Sequence, residues 1–197
     1  MDIKTLFTRT NSALNSAVQR VSPDQLAANM PEYSSYHKGQ TLGTYLNICA
    51  HENACVPRML AAEQNIPNNQ EFTEDYLQDD FKTNFAALTE SANKAVLNAT
   101  EETLDTTVHM SYADAKARDY LKDIVVQRSM ATIDIAQAAG FAPEWPDDLL
   151  QEIWNVVEPY APTLRQYGIF PPEVKVSSSA SLRDKLIGTM GRTPQQS

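Results

Sequence analysis

Histidine, cysteine and positive charge are all scarce in this chain. Its 197 residues hold three histidines and two cysteines, and 16 Lys and Arg stand against 25 Asp and Glu, a net charge of -9. An acidic chain without a basic stripe has nothing to lay along a phosphate backbone, which excludes nucleic acid and anionic lipid as partners. No run approaches the ~20 apolar residues that cross a bilayer, so no membrane span is expected. The opening, MDIKTLFTRTNSAL, lacks the basic-then-apolar order of a signal peptide, and the expected address is cytoplasmic. Cys49 and Cys55 lie six residues apart; on one helix they point about 240° away from each other, so they read as separate buried hydrophobes rather than a disulfide. Dinucleotide-binding GxGxxG, phosphate-binding Walker and nucleophile-elbow GxSxG patterns are all missing.

What is present is helical periodicity, at a length and 42% hydrophobic content that suit a folded chain with a sizeable core. Ile3, Phe7, Thr10, Leu14, Ala17 and Val21 recur at steps of three and four over residues 2–21, and Ser22-Pro23-Asp24 reads as a stop followed by a fresh N-cap. A loop is expected over 31–40. A second helix is expected over 41–64, with Leu42, Leu46, Cys49, Asn53, Val56 and Leu60 as its seam and a kink at Pro57. The polar stretch IPNNQEFTED leads to a third helix with Thr73 as its expected cap and Phe81, Phe85, Leu88, Ala92 and Ala95 on its inner face. Residues 100–112 break the period and suggest a short extended piece. A fourth helix is expected over 113–139, carrying Leu121, Ile124, Val125, Ile135 and Ala138 and closed by Gly140. The predicted fold is all-α: a four-helix bundle with one long crossover over residues 1–140. A helical extension over 141–197 is expected to pack on it. The extension has a helix opening at Trp145-Pro146-Asp147 and ending at Pro162 or Gly168, then an extended GIFPPEVKV and a short helix capped by Ser181.

Local chemistry in this pattern is sparse. His51-Glu52 opens a zinc-protease HExxH, but its last position is Cys55, and the pair reads as a solvated polar face of helix two. Asp79-Asp80 and Glu101-Glu102 read as solvated surface. His37, His51 and His109 are scattered over a loop, a helix and the crossover, and no three-histidine metal site is expected from them.

Longer patterns carry a resemblance. SPDQLAANMP after helix one, GQTLGTYLNICAHENA opening helix two, YLKDIVVQRSMATIDIAQAAG in the fourth helix, and LRQYGIFPPEVKVSSSASLRDKLIGTMGR near the end resemble the DinB-like proteins. Within them, the chain resembles the group related to mycothiol-dependent maleylpyruvate isomerase. That resemblance implies a bundle with an internal divalent metal, zinc or nickel, held by a histidine of helix two and by two residues four apart on the fourth helix. In mycothiol-using members the metal activates the cofactor thiolate. Aligned on this pattern, the ligand positions are Asn47, Gln127 and Ala131, and a one-turn slip brings His51 toward the first of them. An alanine ligates nothing, and amide oxygens hold zinc or nickel poorly without anionic help. Asp134 is the one carboxylate nearby, matching an aspartate common in the family.

Two functions follow from the resemblance. The first is a small-molecule-binding or regulatory module in which Asn47, Gln127 and Ala131 line an inherited cleft without its metal, no cofactor being expected. The second is a metal- or thiol-dependent transferase or isomerase with an altered site, its catalytic candidates being His51 and His109, with Glu52 and Cys49 beside them. A monomer or a homodimer is expected, the latter through loop aromatics Tyr33, Tyr36 and Phe72.

Overall fold

The computed structural model describes residues 1–32, 39–111 and 113–195. Tyr33, Tyr36 and His37 lie outside the described residues. The described chain is mostly helical, with a single two-stranded ribbon among them. Helix α1 spans Ile3–Arg20, its first turn capped by the Asp2 carboxylate, which accepts from the backbone of Lys4 and Thr5. After a 3-10 turn at Pro23–Ala27, where the Gln25 side chain accepts from the Ser22 N–H at 2.8 Å, helix α2 runs over Leu42–Leu60 from a Thr41 cap. It ends sooner than residue 64, and Pro57 lies in its last turn.

Helix α3 covers Phe81–Asn98. Its cap is Asp80 rather than Thr73, because residues 61–80 form a long irregular connection whose stickiest side chains fold back onto α2. The crossover that follows is only partly extended: a one-turn helix α4 (Glu101–Asp105) precedes β1 (Thr107–His109), which pairs antiparallel with β2 (Asp114–Lys116) in the register Thr107–Lys116, Val108–Ala115, His109–Asp114. The ribbon takes residues expected in the next helix, so α5 begins later, over Ala117–Ala138. Helix α6 (Asp147–Gln166) runs straight through Pro159 and Pro162 and stops before Gly168, whose φ of +72° glycine adopts without strain. Helix α7 (Leu182–Thr189) starts from Ser181, whose hydroxyl accepts from Asp184 N–H. Among the described residues, no helix is long and apolar enough to cross a membrane.

Helix α1 lies against α3 and α5, α2 lies against α3 and more lightly against α5, and α6 rests on α1, α5 and α7. Buried side chains form two apolar clusters. One joins Phe7, Val56, Val96, Leu121 and Val125 to Leu149, Ile153 and Val157 of α6 and to Leu186 and Ile187 of α7. The other joins Leu14, Val18, Leu42, Leu46, Cys49, Phe85, Ala131 and Ile135. Between the two, each long helix of this group carries buried polar residues: Thr10 and Asn11 on α1, Asn53 on α2, Thr89 on α3, Arg128 and Ser129 on α5.

Candidate functional site: the polar layer and the α2 face above it

Helix geometry divides the side chains of α2 into two stripes. Leu42, Leu46, Cys49, Asn53 and Val56 fall within one third of the circumference and face the interior. Asn47, His51 and Cys55, at steps of four, form a second stripe about half a turn away, and Glu52 sits between the two. The interior stripe joins the apolar clusters and, at Asn53, the polar layer; Asn47 and His51 of the outer stripe meet residues 61–80.

In the layer, Arg128 is fully buried and crosses from α5 to α2. Its Nη1 donates to Glu52 Oε2 at 2.6 Å and its Nη2 to Asn53 Oδ1 at 3.1 Å. Asn53 Nδ2 then donates to Thr89 Oγ1 at 3.2 Å, and that hydroxyl donates to the Phe85 carbonyl at 2.9 Å, so one hydrogen-bonded line ties α5, α2 and α3. A buried guanidinium without a carboxylate would be costly, and Glu52 supplies the charge that makes its burial tolerable. Two buried polar atoms of the layer keep no hydrogen-bond partner among the described residues: Arg128 Nε, a donor, and Asn11 Oδ1, an acceptor.

On the outer stripe, the Asn47 amide mimics a strand. Its Nδ2 donates to the Glu74 carbonyl at 3.0 Å and its Oδ1 accepts from the Tyr76 N–H at 2.9 Å. His51 is only 1% exposed, not the solvated residue its sequence context suggested. Phe72 stacks on its ring at 4.1 Å and 6°, Nε2 lies 2.9 Å from the Pro67 carbonyl, and Nδ1 lies 3.3 Å from Tyr76 Oη. Because a carbonyl only accepts, the proton belongs on Nε2, and Nδ1 accepts from the Tyr76 hydroxyl. Burial lowers the His51 pKa, outweighing the Pro67 carbonyl, Glu52 and Glu74, which favour the charged form; Arg58 adds to the lowering. Glu52, too, is engaged rather than solvated: besides Arg128, it accepts from Asn69 Nδ2 at 2.8 Å. Cys55 Sγ sits 3.5 Å from His51 Nε2, and burial pushes its thiol up to about 11. Burial also drives the Cys49 thiol upward, so neither cysteine is poised as a nucleophile.

The residues expected to form one cleft go separate ways. Asn47 is tied to residues 74 and 76, Ala131 is sealed in the apolar cluster with Leu46 and Cys49, and Gln127 is half-buried on α5. Ala131 therefore opens no space for a ligand; its neighbours fill it. His109 lies on the ribbon, its Nδ1 2.9 Å from Asp114 Oδ1, and its partner is not on the α2 face. Phe72 serves its own chain by covering His51. Asp134 is fully buried and receives Nε and Nη2 of Arg192, each at 2.8 Å, which is what the Gly-Arg near the chain end accomplishes. Asp80 caps α3, and Glu101 pairs with Arg118. Among the described residues, no three of His, Cys, Asp and Glu gather in a way that would hold a metal ion. An open groove of about 730 Å³ runs elsewhere, between α1 and the start of α6, beside Arg9, Ser12, Ser16, Glu144 and Trp145.

Sequence reasoning missed Arg128. Its signal was a cation between the apolar residues Val125, Val126 and Ile133; a charge there, on the inner side of a helix, must pair across to a neighbour. Compared with known protein families, curated proteins and solved structures, the chain matches none of them.

Proposed function

We propose that this chain is a DinB-like four-helix bundle protein, related to mycothiol-dependent maleylpyruvate isomerase, in which a protein-internal ion pair has replaced the family's divalent metal. On this reading residues 1–140 are the bundle and 141–197 the extension, and the protein acts as a small-molecule-binding or regulatory module rather than as a metalloenzyme. The contacts of α1 with α3 and α5 and of α2 with α3, with the ribbon bridging α3 and α5, support the bundle.

The observation that carries the proposal is Arg128. The residues at the ligand positions do not fit zinc or nickel: an amide tied to backbone, a half-buried amide and a buried alanine supply no anion. The nearest carboxylate, Glu52, already faces a guanidinium. A divalent cation brought to that carboxylate would be repelled by the guanidinium it already pairs with. The layer's unpartnered donor, Arg128 Nε–H, suits an acceptor such as water or an anion, not a cation. The thiol-dependent alternative draws less support, since both His51 nitrogens are engaged and His109 pairs with Asp114. Elemental analysis of the purified full chain, before and after incubation with excess zinc and nickel and exhaustive dialysis, tests the proposal. It predicts less than about 0.1 equivalent of either metal retained; one tightly held equivalent overturns it.

A further inference from the structure

The connection between α2 and α3 is twenty residues long, 61–80, with no helix or strand of its own. Connections of that length inside a compact domain are uncommon and tend to have a function. Of these residues only Leu77 is buried, with Ile66 and Tyr76 partly buried against the two apolar clusters, so the segment adds few side chains to the core. It is anchored at its two ends: Arg58 holds Glu63 near the first, and Asn84 Nδ2 donates to the Leu77 carbonyl at 2.7 Å near the second. Beside those anchors lie the non-glycine residues with positive φ among the described residues: Ala62 at 52° and Asn65 at 60° on either side of Glu63, and Gln78 at 47° just after Leu77. Left-handed backbone is unfavourable for alanine and glutamine, and strain of this kind gathers at segments that switch.

Besides Ile66 and Leu77, which pack on the apolar clusters, what lies between the strained ends is held to the outer side of α2 by a few polar and ring contacts. These are the Asn47 amide on residues 74 and 76, the His51 ring against Pro67, Phe72 and Tyr76, and Asn69 on Glu52. Below them lie the buried His51 ring and the Cys55 thiol. A region with few buried apolar groups, fixed by contacts that water can replace, opens at a lower free energy than the core.

We propose that residues 66–76 form a lid over the His51–Cys55 face of α2, latched by Asn47 and His51 and opening as a unit between the strained Asn65 and the fixed Leu77 while the helices stay packed. The inference rests on the segment alone and stands apart from the metal reading above. The two cysteines make it measurable. Both thiols belong to apolar clusters, but Cys49, 1% exposed, is enclosed and reports global unfolding, whereas Cys55, 9% exposed and against the His51 ring under the latch, reports lid opening.

The experiment is alkylation of the native full chain with iodoacetamide at pH 8, mapped by mass spectrometry. Cys55 is expected to react at least ~100-fold faster than Cys49 but at least ~10-fold slower than the same thiol in the urea-unfolded chain. Phe72→Ala removes the stacked half of the latch and should speed Cys55 about tenfold while moving the Cys49 rate less than about threefold. Tyr76→Phe, which deletes one hydroxyl, serves where that variant does not fold and should speed Cys55 alone. Hydrogen exchange at the Tyr76 amide should accelerate in step with Cys55. Equal rates for the two thiols in the parent chain would mean that the segment moves only when the whole protein unfolds, and would overturn the lid. A Cys55 rate equal to the unfolded thiol's would show that nothing covers it, with the same consequence, as would a latch variant that leaves Cys55 unchanged.

Discussion

At His51 a titratable ring is held neutral by its surroundings, and that has a definite consequence for pH. Burial sets its folded-state pKa below the ordinary value near 6.5, with Glu52 and Glu74 opposing and Arg58 assisting; Tyr76 and Cys55 complete its titratable neighbours. Above 6.5 both folded and unfolded chains carry a neutral ring, and the full contribution of His51 is present. As pH falls from there toward the folded-state value, the unfolded chain takes up a proton that the folded one refuses, so stability drops. Urea midpoints of the parent chain should therefore fall between pH 7.5 and 5.5. His51→Gln should show a shallower fall, while being less stable at pH 7.5 by about 1–3 kcal/mol through loss of the stacked ring and its hydrogen bonds. A carboxylate cannot mimic this window. Asp148, held down to about 2 by hydrogen bonding to Arg9, loses its contribution only as pH falls from 3.8 toward that value. Equal pH slopes in parent and variant would remove His51 as the cause.

Between elements, the decisive contact is the one Arg128 makes from α5 to Glu52 and Asn53 of α2. Helices α2 and α5 touch lightly compared with α1 and α5, so this polar line holds much of their relative position. Arg128→Ala should destabilise the protein by about 3 kcal/mol, the lower end for a broken buried pair, because Glu52 keeps an 18% exposed side chain that water can reach. Arg128→Met combined with Glu52→Gln should recover most of that loss, since no charge is then left unpaired. Urea unfolding of the three variants checks both numbers. If the double variant is as unstable as the single one, packing volume rather than charge is what Arg128 supplies.

Across the whole molecule, the chain end is fastened to the interior by charge and by small residues together. Arg192 reaches Asp134 with both atoms fully buried, and Gly188 and Gly191 let the last turn sit against Val174 and Pro171, where a Cβ at Gly188 would collide with the Val174 carbonyl. Arg192→Ala takes one partner from a buried pair and should cost about 3–5 kcal/mol, a Tm fall of roughly 10 °C for a chain of this size. Arg192→Lys should restore only part of it, since an ammonium cannot reproduce the bidentate fork. Thermal unfolding followed by circular dichroism reads the difference. A Tm within 2 °C of the parent for Arg192→Ala would mean that the C-terminal fastening is only superficial.

Helix identity was written in the local pattern. The steps of Ile3, Phe7 and Leu14, the Ser22 stop, the Asp147 start and the Ser181 cap are one-dimensional signals, because backbone geometry repeats every 3.6 residues and caps act within one turn. The same locality misled wherever distant residues compete. Thr73 resembled a cap but lies in a segment bound to α2, and residues 114–116 resembled helix but pair with Thr107–His109. His51 and Glu52 looked solvated because their covers, Pro67, Asn69, Phe72, Tyr76 and Arg128, sit 16 to 76 residues away along the chain. Whether a polar side chain is a ligand, a latch or an ion-pair partner depends on what faces it. That is a property of packing between elements, and only the tertiary structure decides it.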